Sequence, residues 1–193
     1  MKAKDPQNES ALVCAARDGD KDALQTLLTR HWSWLKALVY GVLGDARDLD
    51  DVMQEVCLRV IARIHTLREP ECFRSWLAVL ARREALKRRQ RRTPRPVEID
   101  PESEAFQMAG PVESPLEELE REELYGRILE AVETLPQIYR EVFLLAHGSD
   151  LTYAQMAEVL DVPVTTMQIR LVRARRMIQK QVIGNTEHKV HRR

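Results

Sequence analysis

One proline-rich, acidic stretch limits what this chain can fold into. TPRPVEIDPESEAFQMAGPVESP, from Thr93 to Pro115, has prolines at 94, 96, 101, 111 and 115. Each proline lacks a backbone donor and disfavours helix at the residue before it. No continuous helix crosses such a segment, so it reads as a linker. The chain on either side is long enough for a small helical core of its own. The expected layout is a disordered 1–10, a helical module over 11–92, a flexible acidic linker over 93–116, a second helical module over 117–184 and a tail over 185–193.

Both modules read as all-α, and no segment alternates convincingly as a strand. Leu12, Ala15 and Ala16 open an amphipathic pattern that Gly19 and Asp20 break. Leu24, Leu27, Leu28, Trp32, Leu35, Leu38, Val39 and Leu43 resume it, and Gly44-Asp45 stops it. Helices follow over about 48–64 and 73–92, with Pro70 in the loop between. Beyond the linker, 117–133 is helical, Pro136 marks a break, and Tyr139 to Leu145 is the next helix.

The chain is neutral overall, yet its charge is segregated. There are 19 basic and 13 acidic residues through Pro96, 1 and 10 from Val97 to Glu123, and 10 and 7 from Leu124 onward. Two basic modules therefore flank an acidic connector, and local fields of this kind attract phosphate whatever the net charge. No apolar run is long enough to span a membrane or act as a signal-peptide core, so the expectation is a cytoplasmic protein without membrane insertion. Cys14, Cys57 and Cys72 form no CxxC or zinc-ligand spacing and read as reduced thiols. His188 and His191 in the tail read as solvated. No metal or cofactor is expected. The chain shows no nucleophile, Gly-rich loop or ligand set for an enzyme acting on a small molecule.

LTYAQMAEVLDVPVTTMQIRLVRAR, Leu151 to Arg175, has the form of a helix-turn-helix. Thr152 and Gln155 fit a capping box at the first helix. Met156, Ala157 and Leu160 supply its packing face, and Asp161 suits the turn. Pro163 suits the start of the second helix, whose apolar stripe is Met167, Leu171 and Ala174. Thr165, Thr166, Gln168 and Arg170 fall off that stripe near the helix start, where base edges are read. Arg173, Arg175 and Arg176 follow, suited to phosphates.

Two further constellations lie in the first module. DLDDVMQEVCLRVIARI has a core stripe of Leu49, Val52, Met53, Val56, Val60 and Ile64. Asp51, Gln54, Glu55 and Arg59 occupy another face, either merely solvated or a docking surface with a set charge register. CFRSWLAVLARREALKRRQRR opens with Phe73 and Trp76 and then runs through Arg82, Arg83, Lys87, Arg88, Arg89, Arg91 and Arg92. Rings beside a dense basic helix suit single-stranded nucleic acid, although Phe73, Trp76, Leu77 and Leu80 also have the spacing of core residues.

These blocks, in this order, resemble a bacterial RNA polymerase sigma factor of the extracytoplasmic-function group. ARDGDKDALQTLL, DLDDVMQEVCLRV and FRSWLAVLARREALKRR resemble region 2, while LPQIYREVFLL and the helix-turn-helix resemble region 4. The resemblance implies core RNA polymerase and promoter DNA as partners, often an anti-sigma factor as well, and no chemistry of the chain's own. It implies that Asp51, Gln54, Glu55 and Arg59 grip the polymerase clamp helices. Arg68, Phe73, Arg74, Trp76, Arg83, Lys87 and Arg88 would capture and hold the −10 element. Thr165, Thr166, Gln168, Ile169, Arg170, Arg173 and Arg176 would bind the −35 element. It implies too that the linker threads the polymerase near the RNA exit path. Arg83 and Lys87 stand where the family usually has Asn and Asp, and Thr165-Thr166-Met167-Gln168-Ile169 departs from the frequent Gly-Thr-Val-Lys-Ser. The alternative from a different class is a one-component helix-turn-helix regulator that does not associate with polymerase.

Overall fold

In the computed structural model the described residues are 6–91 and 115–190, with side chains over 8–91 and 123–183. Most of the expected linker, and the side chains of His188 and His191, fall outside them. Every regular element among the described residues is helical. They are α1 (Pro6–Arg17), α2 (Lys21–Leu43), α3 (Leu49–Arg63), α4 (Phe73–Arg91), α5 (Pro115–Glu133), α6 (Gln137–Gly148), α7 (Tyr153–Leu160) and α8 (Val164–Val190). Short 3₁₀ turns at Ile64–Thr66 and Pro70–Cys72 bridge α3 to α4.

The helix boundaries follow local chemistry. Asp20 Oδ1 accepts from the backbone N–H of Asp22 and of Ala23, at 2.9 and 3.0 Å, and so caps α2. Gly44 ends α2 with φ +84°, a left-handed residue that glycine adopts without strain. The capping box at α7 is complete: Gln155 N–H donates to Thr152 Oγ1 at 3.3 Å, and Thr152 N–H donates to Gln155 Oε1 at 3.0 Å. Asp161, at φ +56°, makes the turn into α8. Pro163 sits just ahead of α8, and its carbonyl accepts from Met167 N–H at 3.0 Å.

Two departures from the sequence reading stand out. First, α1 starts at Pro6, within the 1–10 segment expected to be disordered. The reason is tertiary. Glu9 receives Arg74 in bidentate fashion, Nε to Oε1 at 2.7 Å and Nη2 to Oε2 at 2.8 Å. His31 Nε2 lies 3.5 Å from Glu9 Oε2, beyond good hydrogen-bond geometry but close enough to bias the charge. Burial alone would raise the Glu9 carboxyl, yet His31 and Arg74 outweigh it and hold it well below the usual carboxylate range. Second, the two modules share one continuous core. It runs from Val13, Leu27, Leu35, Val56, Phe73 and Leu77 to Val142, Leu145, Met156, Met167 and Leu171. α2 packs along α6, and α4 packs against α7.

Candidate nucleic-acid and protein interfaces

The recognition helix stands open. Met167, Leu171, Ala174 and Ile178 are buried and orient α8 against its module. That orientation leaves Thr165, Gln168, Ile169, Arg173 and Arg176 exposed, with Thr166 and Arg170 half-buried beside them. Ile169 keeps 53% of its surface in solvent. Arg170, Arg173 and Arg176 recur every three residues and form a cationic edge beside Gln168 and Ile169.

On α3, Val52, Met53, Val56 and Val60 are buried, which turns Asp51 and Gln54 to solvent and leaves Glu55 half-buried. Arg59 Nε donates to Glu55 Oε1 at 3.0 Å and lies 3.4 Å from Glu84 Oε1 on α4. The sequence reading missed the apolar half of this face. Leu58 is 60% exposed and Ile61 56% exposed, both on the stripe set by Asp51 and Gln54. Ile61 and Cys57 run into a groove of about 700 Å³ whose other wall is Leu24, Leu28 and Trp32 of α2. Burial pushes the Cys57 thiol up, which keeps this wall neutral. Leu24, Leu28 and Trp32 had the spacing of core residues but line an open groove instead. The signal was present in sequence: Leu58 and Ile61 continue the polar face at spacings of four and seven from Gln54.

The −10 set divides. Phe73 is 0% exposed, with its ring centroid 5.5 Å from His31 and 6.0 Å from Trp76. It is a core residue here and has no free face for a base, which corrects its sequence-based assignment to DNA. Arg74 is engaged by Glu9 and, through Nη1, by Asp150 Oδ2 at 3.1 Å. Trp76 and Arg83 share a stripe of α4 and, with Arg59, Arg63 and Glu84, line a cleft of about 90 Å³. Lys87 continues that stripe and lies 3.4 Å from Glu84. Arg88 Nη2 donates to Asp48 Oδ1 at 2.7 Å and to Asp51 Oδ2 at 3.3 Å. The basic end of α4 is thus tied to the acidic start of α3. Arg68 is exposed in the loop ahead of α4. Among the described residues no group of three or more His, Cys, Asp or Glu is placed to hold a metal ion. No described helix is long and apolar enough to cross a membrane.

The family model for sigma-70 region 2 matches residues 27–95, and that for sigma-70 region 4 matches residues 125–178. An ECF RNA polymerase sigma-E factor of Haemophilus influenzae is 27% identical over 180 residues, covering 90% of this chain and 95% of that protein. The chain belongs to the sigma-70 family, in its extracytoplasmic-function group. An RNA polymerase sigma-H factor of Pseudomonas aeruginosa is also 27% identical, over 90% of this chain and 93% of its own length. The fold is similar to that of CnrH, solved in complex with the cytosolic domain of CnrY. That likeness has a TM-score of 0.63 and 20% identity, over 92% of this chain and 98% of CnrH. The sigma factor RpoE from Bartonella quintana, solved with the anti-sigma factor NepR, gives a TM-score of 0.61 at 17% identity, over 82% of this chain and 95% of that one. With region 2 matched to α2–α4 and region 4 to α5–α8, the exposed α3 face belongs to region 2 and the open recognition helix to region 4.

Proposed function

We propose that this chain is a dissociable initiation subunit that recruits core RNA polymerase to promoters and helps open the −10 DNA. The observation that carries the reading is the α3 face. Asp51, Gln54 and Glu55 lie beside exposed Leu58 and Ile61, and Ile61 borders an open apolar groove. An acidic stripe fused to apolar surface suits a partner helix with basic and apolar sides, and contiguous exposed apolar surface of this kind marks an interaction site. A free-standing helix-turn-helix regulator has no need for it.

The chemistry is division of labour. Asp51, Gln54, Glu55 and Arg59 set the charge register on the polymerase clamp, and Leu58 and Ile61 supply the apolar contact. Trp76, Arg83, Lys87 and Arg88, with Arg68, hold the −10 strand by stacking and phosphate pairing. Unstacking a base is unfavourable, so such contacts must stabilise the open strand. Gln168 and Ile169 read the −35 bases: Gln suits adenine and Ile a thymine methyl. Arg170, Arg173 and Arg176 hold phosphates there, with Thr165 and Thr166 alongside. The domain limits follow the same reading, region 2 ending near Arg92 and region 4 beginning near Glu117. The chain supplies no catalytic step, works where polymerase works, in the cytoplasm, and is a fit client for an anti-sigma factor.

The test is promoter-directed transcription by core polymerase with and without the chain, beside a Leu58→Glu variant. Stimulation by the parent and its loss in the variant, with helicity intact, is the expected result. DNA binding without stimulation at any promoter would instead favour the regulator.

A further inference from the structure

The loop that leads into α4 has little structure of its own. It makes two single 3₁₀ turns, Ile64–Thr66 and Pro70–Cys72. Their backbone bonds are local: Leu67 N–H donates to Ile64 O at 3.1 Å, and Cys72 N–H donates to Glu69 O at 3.0 Å. Neither bond reaches beyond the loop. Hydrogen-bond geometry in such turns is poor, so packing must fix where they sit. Ile64 and Leu67 are buried, while His65, Arg68, Glu69 and Glu71 face solvent. The packing comes in part from α1, which lies against both turns as well as along α2. Val13 and Ala16 of α1 are buried there. α1 spans Pro6–Arg17 and so lies ahead of the 27–95 segment that matches sigma-70 region 2.

A polar clamp ties α1 to the start of α4. Arg74 is the second residue of α4, directly after the loop. Its Nε donates to Glu9 Oε1 at 2.7 Å and its Nη2 to Glu9 Oε2 at 2.8 Å. A two-pronged pairing of this kind fixes direction as well as distance. The Arg74 and Glu9 side chains are only 19% and 12% exposed, so salt screens the pair weakly. His31 of α2 closes the site from a third side. Trp34 Nε1 donates to His31 Nδ1 at 2.9 Å, so the neutral ring carries its proton on Nε2, which faces Glu9 Oε2 at 3.5 Å. The remaining Arg74 nitrogen, Nη1, donates to Asp150 Oδ2 at 3.1 Å.

We infer that α1 is a buttress for this loop, and that Glu9 and Arg74 are positioning residues for −10 strand capture rather than contacts to DNA. The inference rests on the reading of Arg68 and α4 as part of the −10 surface. Glu9 joins the first turn of α4 to α1, and α1 lies behind both 3₁₀ turns. The loop backbone is thereby set where Arg68 meets the strand. Every guanidinium nitrogen of Arg74 already donates to a carboxylate, which leaves no edge for a phosphate. Ordering a loop at the moment of capture costs conformational entropy, and a loop set in advance avoids that cost. Cutting the Glu9 link leaves Arg83 and Lys87 in place on α4 but frees the loop ahead of them.

The test uses the full chain with Glu9→Gln and Arg74→Lys, amide hydrogen exchange resolved over 64–72, and salt-dependent binding to a labelled mixed-sequence single-stranded DNA. Gln keeps the shape of Glu9 without its charge. Lys keeps the charge that a phosphate needs but not the two-pronged geometry. In both variants exchange over 64–72 should quicken by about tenfold or more, the effect of losing a charge-assisted hydrogen bond, while 164–178 keeps the parent rates. The log–log salt slope should stay at the parent value in both. With core polymerase and a promoter that the parent serves, both variants should keep their polymerase affinity but form fewer open complexes, read as permanganate reactivity of unpaired thymines. A template already unpaired over the −10 element should restore their transcription, which a general loss of stability would not allow. Should Glu9→Gln lose helicity, Arg74→Lys carries the same readings. Three results would overturn the buttress: unchanged exchange over 64–72, an open-complex defect that the unpaired template does not relieve, or a slope steeper by about 0.7 in Glu9→Gln, the mark of a freed arginine taking a phosphate. Absence of promoter-directed transcription from the parent would instead defeat the functional reading, while exchange and slope still decide whether α1 holds the loop.

Discussion

Phe73→Ala separates a core role from a DNA role at the residue where sequence and structure disagree most. The ring is fully buried between His31 and Trp76. Its removal takes away the transfer free energy of the ring and leaves a cavity that helices cannot fully close, about 3–5 kcal/mol together. Folded domains hold only about 5–15 kcal/mol in total. For a body of this size each kcal/mol shifts the melting midpoint by about 2–4 °C, so the expected fall is roughly 6–20 °C. The assay is far-UV circular dichroism on heating, with urea unfolding as a check. Single-stranded DNA affinity measured well below the midpoint should be close to that of the parent. Trp76→Ala should behave in the opposite way, because the ring is half-buried at the edge of a cleft with Arg83. It should lower stability less and weaken DNA binding more. An unchanged midpoint for Phe73→Ala together with weakened binding would refute the packing argument and return Phe73 to the DNA surface.

Three further outcomes are expected. Thr152→Ala removes the α7 capping box and should destabilise the chain by about 1 kcal/mol in urea unfolding. Glu9→Gln removes a carboxylate whose pKa lies below its ordinary 4.5. Such a group stabilises the fold above that value and loses its contribution as pH falls beneath it. The parent should therefore weaken more steeply than the variant between neutral pH and pH below 4.5, as read from urea midpoints. Gln168→Ala should alter base preference on −35 duplexes, whereas Arg173→Ala should weaken all duplexes alike and reduce the salt slope by about 0.9; an unchanged preference after the Gln168 change would remove it from the reader set.

Much of the local structure was legible because it rests on short-range rules. Thr152 with Gln155, Gly44 after Leu43, and the heptad-like spacing of Met167, Leu171 and Ala174 each act within one or two turns. The charge of α4 and the polar face of α3 were equally plain. What sequence could not tell was which apolar residues find a partner. Phe73 and Leu58 carry the same helical signal, yet one is enclosed and the other is 60% exposed. Periodicity assigns a face to a helix, but burial depends on whether another helix arrives at that face. Leu24, Leu28 and Trp32 illustrate the point, since their neighbours on α3 leave a groove above them.

By itself, the sequence determined that the chain is helical, the order of the region-2 and region-4 segments, and the apolar stripe that α8 buries. Those depend on backbone propensity and periodicity, which are local. Tertiary structure alone decided that α1 begins at Pro6, because Glu9 needs Arg74 and His31 to hold it. It also decided that the modules close on each other through Gly41, Gly148, Arg140 and the Arg82–Glu141 pair. Contacts spanning 59 and 99 residues leave no periodic trace, because their partners meet only after each helix has formed.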